Sequence, residues 1–155
     1  MIKSIEGNFD NFEVNELLTK HFVELRAASP EGSAHVLDIP GLKHPTIKFW
    51  SLWENEKLMG CGALKFLDKN HGEFKSIRVH DDFRGKGNGI KVIDHLIKEA
   101  INLNIKRLSI ETGASDFFIP ARKLFNKCNF LPCGPFAHYK LDKNSIYLTK
   151  QIDND

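Results

Sequence analysis

The sequence predicts an α/β fold with a mixed sheet, in the order β-α-β-β-β-α-β-α-β-β, and three observations carry that prediction. Alternating apolar runs joined by short polar turns occupy residues 46 to 79. A glycine-rich turn, Arg84 to Gly89, then opens an amphipathic segment. Another apolar run, Arg107 to Glu111, follows that segment. Short turns join antiparallel neighbours, whereas a crossover helix sets the strands on either side of it parallel.

Taken in order, Ile2 to Glu6 alternates and suits an edge strand. Val14, Leu17, Leu18, Phe22 and Leu25 fall at helical spacing within Asn11 to Leu25. Ala27 to Pro45 holds Pro30, Pro40, Pro45, Gly32 and Gly41, so it reads as a loop with room for one helical turn. Thr46 to Trp53 and Lys57 to Phe66, split by Glu54-Asn55-Glu56, form a hairpin. A third strand runs from Glu73 to Val79. Ile90, Ile93, Ile97 and Ala100 make one stripe of the next helix. Arg107 to Glu111 is expected parallel to the strand ending at Val79. Pro120 to Cys128 is a helix with proline in its first turn and Asn129 as a left-handed cap. Phe130 to Leu131 and Ser145 to Ile152 close the sheet.

At 155 residues the chain suits a single domain, residues 1–155. Lys and Arg number 22 and Asp and Glu 20, a balance of +2, too small for the basic footprint of a nucleic-acid binder. The opening Met1 to Glu6 lacks the apolar core of a signal peptide, and no run is long enough to span a membrane. Cysteines 61, 128 and 133 are odd in number and form no C-x-x-C pair, which fits free thiols in the cytoplasm. The seven histidines are scattered without metal-ligand spacing, so no metal is expected.

The chemistry concentrates in the strand, turn and helix from Glu73 to Ile90. Gly85, Gly87 and Gly89 bare main-chain N–H groups at the positive end of a helix, a geometry that holds phosphate or pyrophosphate. Arg84 and Lys86 add positive charge. No window matches the G-x-x-x-x-G-K-[ST] phosphate loop. The dinucleotide fingerprint G-x-G-x-x-G finds Gly85 and Gly87, but its third glycine is Ile90. Glu111 does stand roughly 20 residues on, where a ribose-binding acid would, so a nucleotide-binding oxidoreductase stays open as a rival.

The hexapeptide Arg84-Gly85-Lys86-Gly87-Asn88-Gly89 also satisfies R/Q-x-x-G-x-G/A, and here the chain resembles the GNAT superfamily of acyl-CoA-dependent N-acyltransferases. Ala121 to Phe130 is similar to that family's A-R-x-L-Y-x-x-x-G-F helix end. His35-Val36-Leu37-Asp38, Gly60-Cys61-Gly62-Ala63-Leu64 and Cys133-Gly134-Pro135-Phe136 resemble the small bacterial YsnE-type members. The resemblance implies acetyl-CoA as co-substrate between splayed strands ending at Val79 and Glu111. Main-chain groups of Ile77 and Val79 would bond its pantetheine arm, the turn from Arg84 to Gly89 would take its pyrophosphate, and Arg78 and Ile90 would flank them. Glu111, Thr112 and Phe125 would complete the coenzyme site.

Acetyl transfer to an amine calls for a base, because a free alkylamine is mostly protonated at neutral pH. Glu73 falls where some members of that family carry theirs; its other reading is a surface residue opening a strand. Glu111 is a second candidate base, with capping of the Thr112-Gly113 turn as its other use. The tyrosine that often protonates the leaving thiolate is here Phe125, which leaves Tyr139 as a replacement acid. His35, Asp38 and Trp50 are expected on the acceptor side. The implied partner is a small-molecule or peptide amine; a homodimer is compatible, and neither nucleic acid nor membrane is expected. A non-catalytic acyl-CoA-binding module is the alternative, with Phe125 its best support.

Overall fold

Thr46 to Val79 folds back and forth as expected, and in the computed structural model, which describes residues 1–152, it forms the antiparallel half of a seven-stranded sheet. The strands are β1 (Ile2–Glu6), β2 (Ile47–Glu54), β3 (Lys57–Phe66), β4 (His71–Val79), β5 (Arg107–Gly113), β6 (Leu131–Cys133) and β7 (Ser145–Gln151). Their spatial order is β1-β2-β3-β4-β5-β7-β6. Only β4 and β5 pair parallel, with the crossover helix between them. With every other pair antiparallel, no second parallel unit exists among the described residues, and the dinucleotide-binding rival loses its scaffold.

Four helices cover the two faces: α1 (Phe12–Ala28), the single turn α2 (Ile39–Leu42), α3 (Asn88–Asn102) and α4 (Ile119–Lys127). The Asn11 side chain starts α1 by accepting the Val14 N–H at 3.1 Å. Val14, Leu17 and Leu18 then pack on Phe49, Leu58, Cys61 and Ala63. Strand alternation sends Trp50, Leu52, Met59, Leu64 and Phe74 to the opposite face, against Val92, Ile93 and Leu96 of α3. A Cβ at position 62 would lie 2.4 Å from Leu96 Cδ1, so Gly62 lets α3 approach the sheet. Asn129 takes the expected left-handed conformation (φ 68°), and the Phe130 N–H reaches the Phe125 carbonyl at 3.0 Å to close α4.

Several boundaries differ from expectation for pairing reasons. β4 begins at His71 because His71 and Gly72 pair with Arg107 and Leu108. β5 runs on to Gly113 because β7 pairs with it as far as Ser145. That removes the turn expected at Thr112-Gly113. β6 is Leu131–Cys133 rather than Phe130 to Leu131, since Phe130 is buried with the α3 face.

The feature that positions the site is a bulge in β4. Cys61 pairs with Arg78 but Ala63 pairs with Lys75, so one extra residue is inserted on β4 between them. Ser76 takes the left-handed conformation there (φ 53°), and the Cys61 thiol meets its carbonyl at 3.3 Å. Parallel pairing with β5 covers only His71–Glu73 against Arg107–Ser109. Beyond Glu73 the two strands part.

Leu96→Ala should destabilise the protein by about 2–5 kcal/mol, because Leu96 is fully buried between α3 and the sheet. Urea unfolding of the variant beside the wild type measures it.

Candidate active site

The gap between β4 and β5 is a cleft of about 680 Å³ with walls from both faces of the sheet, a volume suited to a sizeable ligand. On the α3 side, Ile77 and Val79 lie beyond the bulge, where β4 has no β5 partner to take its main-chain groups. The turn after them carries positive φ at Gly85 (83°), Lys86 (56°) and Gly87 (79°) in succession. A Cβ at Gly85 or Gly87 would touch nothing within 4 Å, so backbone conformation rather than crowding suits glycine there. Gly89 differs: a Cβ would meet Leu124 at 2.7 Å, so glycine lets α3 and α4 close up. The Asn88 N–H donates to the Gly85 carbonyl at 3.1 Å, and no side chain caps α3, so the next N–H groups, at Gly89 and Ile90, stay uncapped beside the cleft that both residues line.

Cations crowd that end. Arg84 and Lys86 line it from the turn, and Lys123 and Lys127 line it from α4. The two lysines were not anticipated, although their i, i+4 spacing puts both on one face of a helix and was there to be read. Asn88 lies outside the wall. Its side-chain amide instead donates to the Phe83 carbonyl at 2.8 Å and braces the turn.

On the α1 side the cleft is lined by Glu73, Lys75 and Arg78 of β4, Glu111 of β5, and His21 and His35. Glu73 is not a surface residue opening a strand: it is 2% exposed, at the last position paired with β5. The Tyr139 O–H donates to Glu73 Oε2 at 2.6 Å. Lys75 Nζ lies 3.3 Å from the same oxygen and 3.2 Å from the Tyr139 hydroxyl. Glu111 accepts a hydrogen bond from Ser145 Oγ at 2.7 Å; with no turn at Thr112-Gly113, it caps nothing. Burial raises the Glu111 carboxyl above its usual value, opposed by the Ser145 hydrogen bond and by the proximity of His35 and Lys75. Burial raises the Tyr139 phenol as well, reinforced by the Glu73 charge and hydrogen bond, so it keeps its proton and acts as a donor. Arg78 is buried, with Nη2 2.9 Å from Glu24 Oε1.

Of the residues expected around the coenzyme, all but Asn88 line the cleft, Thr112 and Phe125 included. Phe125 is 3% exposed and packs edge-on against Phe130, with ring centroids 5.4 Å apart. Three expectations for the catalytic and acceptor residues need correction. Trp50 sits in the core beneath α3, 4% exposed, because strand alternation turns it away from the α1 face. Asp38 caps α2, its Oδ1 accepting the Gly41 N–H at 2.8 Å, and stays outside the cleft. Tyr139 stands behind Glu73 rather than in the wall. Of the expected acceptor residues, His35 alone reaches the cleft.

Residues 12–130 match the model of the acetyltransferase (GNAT) family. The chain belongs to that family. It is 44% identical over 140 residues to the uncharacterized N-acetyltransferase YsnE of Bacillus subtilis (strain 168), covering 90% of this chain and 93% of the relative. It is 40% identical over 136 residues to the uncharacterized N-acetyltransferase YedL of Escherichia coli (strain K12), covering 88% and 86%. The fold superposes on the Campylobacter jejuni N-acetyltransferase PseH in complex with acetyl coenzyme A, with TM-score 0.66, 18% identity, and 99% and 100% coverage. The resemblance read from Arg84 to Gly89 and the α4 segment therefore stands, and so does the mixed α/β fold. This GNAT chain is an acetyltransferase. No helix among the described residues is long and apolar enough to cross a membrane.

His21 supplies a pH test of the α1 wall. Burial, then the charges of Arg78 and Arg84, push its pKa down from 6.5 to about 3. The unfolded chain would take up a proton near pH 6.5 where the folded one refuses it. His21 therefore contributes stability that is complete above pH 6.5 and falls away between 6.5 and about 3. Its ring resonances in an NMR titration should stay those of neutral imidazole down to pH 5, and His21→Gln should flatten the acid side of the stability curve.

Proposed function

We propose that this GNAT enzyme transfers the acetyl group of acetyl-CoA to a primary amine of a small molecule or peptide, by direct attack within a ternary complex. The observation that carries this reading is the division of one cleft between the two faces of the sheet. A cationic, glycine-rich helix entrance stands on one side and two carboxylates, the buried Glu73 and the half-buried Glu111, on the other. Coenzyme and acceptor would meet where β4 and β5 part.

On this reading the N–H groups at the turn and the start of α3 take the coenzyme's pyrophosphate, helped by Arg84, Lys86, Lys123 and Lys127. Main-chain groups of Ile77 and Val79 pair with the pantetheine arm as an added strand would. An N–H beside the bulge polarises the thioester carbonyl and stabilises the oxyanion of the tetrahedral intermediate. The acceptor enters from the α1 side past His21, Glu24 and His35. Glu73 takes the proton of the attacking amine; the C–N bond forms and the C–S bond breaks. Phe125 cannot protonate the departing thiolate, and Tyr139 does not reach it, so water supplies that proton. Free thiols at Cys61, Cys128 and Cys133 support placing the activity in the cytoplasm.

The buried Phe125 gives the acyl-CoA-binding alternative its one support. Tight acetyl-CoA binding with no thiol release across a broad amine panel would favour that module. Thiol release with any amine of the panel favours the enzyme.

Gly87→Glu should abolish acetyl-CoA binding in calorimetric titration through charge repulsion at the pyrophosphate. Its circular dichroism should stay native, since the added side chain meets open space and the left-handed φ costs about 1–2 kcal/mol. Glu73→Gln should lower kcat about 100-fold or more with acetyl-CoA affinity unchanged. A wild-type rate would remove Glu73 from the chemistry.

A further inference from the structure

The bonds around Glu73 are unequal between its two oxygens. Tyr139 (2.6 Å) and Lys75 (3.3 Å) both engage Oε2, and Oε1 makes no hydrogen bond to the protein among the described residues. The two donors are also joined to each other, Lys75 Nζ to the Tyr139 hydroxyl at 3.2 Å. Glu73 therefore sits at the corner of a closed triangle with one oxygen held and one free.

Tyr139 comes from the segment between β6 and β7 and is itself fixed. Its ring packs edge-on against Phe136 at 5.2 Å and His35 at 5.1 Å, and stacks on His138 at 5.5 Å. That segment is tied to the loop after α1, where the Ser33 hydroxyl donates to Asp142 at 2.9 Å. The ring stands outside the cleft wall, so Tyr139 touches the reacting groups only through Glu73.

We propose that Tyr139 and Lys75 are positioning residues that lock the Glu73 carboxylate through Oε2 and so present Oε1 as the atom that takes the amine proton. This rests on Glu73 being the base, as proposed above. A carboxylate held at one oxygen cannot rotate its free lone pairs away from the acceptor, and misplacement of a reacting group is costly even when the group itself is intact. The balance is simple: the amine loses a proton to Oε1 as its nitrogen bonds the thioester carbon, and the coenzyme leaves as thiolate. Nothing is transferred to Tyr139, which keeps its proton throughout. The aromatic cluster around Tyr139 then has a use beyond packing: it carries the orientation of the base from the segment that also bears on His35.

The test uses the full chain and thiol release from acetyl-CoA. The acceptors are a panel of free amino acids, polyamines and arylethylamines, with water alone as a further acceptor. Tyr139→Phe and Lys75→Met should each lower kcat about tenfold with KM for acetyl-CoA unchanged, and Lys75→Arg should recover most of the loss. Added to Glu73→Gln, Tyr139→Phe should cost nothing further, because its target is already gone. A merely structural tyrosine would instead lower the folded fraction and deepen the loss in either background. Tyr139→Phe turning over like wild type, or lowering the Glu73→Gln rate by its full single-variant factor, would overturn the proposal and leave acetyl transfer standing. No thiol release by the wild type would defeat the proposed function itself, and Glu73→Gln at the wild-type rate would defeat both the base and its positioning. If Tyr139→Phe does not fold, the Lys75→Met and Lys75→Arg pair decides: equal rates overturn the proposal, and loss with recovery supports it.

Discussion

Everything at the site depends on where the parallel pairing of β4 and β5 stops. It ends after Glu73 and Ser109, immediately before the bulge that turns Ser76 into the left-handed conformation. Had the register continued, Lys75 would face Glu111 across a ladder of hydrogen bonds and the sheet would close. With the extra residue in β4, the strands diverge, main-chain groups of a central strand lose their partners, and both faces of the sheet gain access to one gap. An unpaired strand edge in a cleft leaves its N–H and C=O groups to water or to a ligand, and an extended ligand can pair with them.

The two sides of the gap are chemically different for reasons that trace to single elements. The α3 side is cationic because the turn supplies Arg84 and Lys86 and one face of α4 supplies Lys123 and Lys127. The helix end adds its own partial charge. The α1 side is built from strand alternation: residues 73 and 75 share a face with residue 111 of β5, so two carboxylates and an ammonium gather where the strands divide. Tyr139 and Ser145 then meet one carboxylate each. The two faces of the gap thereby differ in charge, cationic on the α3 side and mixed, with two carboxylates, on the α1 side.

Local patterns in the chain were legible as far as they were local. The hairpin of β2 and β3, the amphipathic α3, the left-handed Asn129 and the phosphate-type turn all follow from spacing within a few residues. The positions that misled were those whose fate depends on distant partners. Trp50 looked available as an aromatic on a strand, but its face is fixed by which side α3 covers. Asp38 looked like an acceptor contact, but a nearby N–H at Gly41 claims it. Glu73 read equally as surface or base, because the phenol that buries it lies 66 positions away in sequence. The bulge itself has no signature in Lys75-Ser76-Ile77; it appears only when β3 is laid beside β4. Lys75, by contrast, could have been found, since alternation alone puts it beside Glu73.

The most direct measurement is a backbone amide NMR titration of the full chain with acetyl-CoA. The largest shifts are predicted at Ile77 and Val79 and from Gly85 to Ile90, with smaller changes at Glu111 and Thr112. The β1–β2 edge and the N-terminal half of α1 should stay still. Saturable shifts confined to residues outside the gap between β4 and β5, with Ile77 and the Gly85 to Ile90 turn unmoved, would contradict the account.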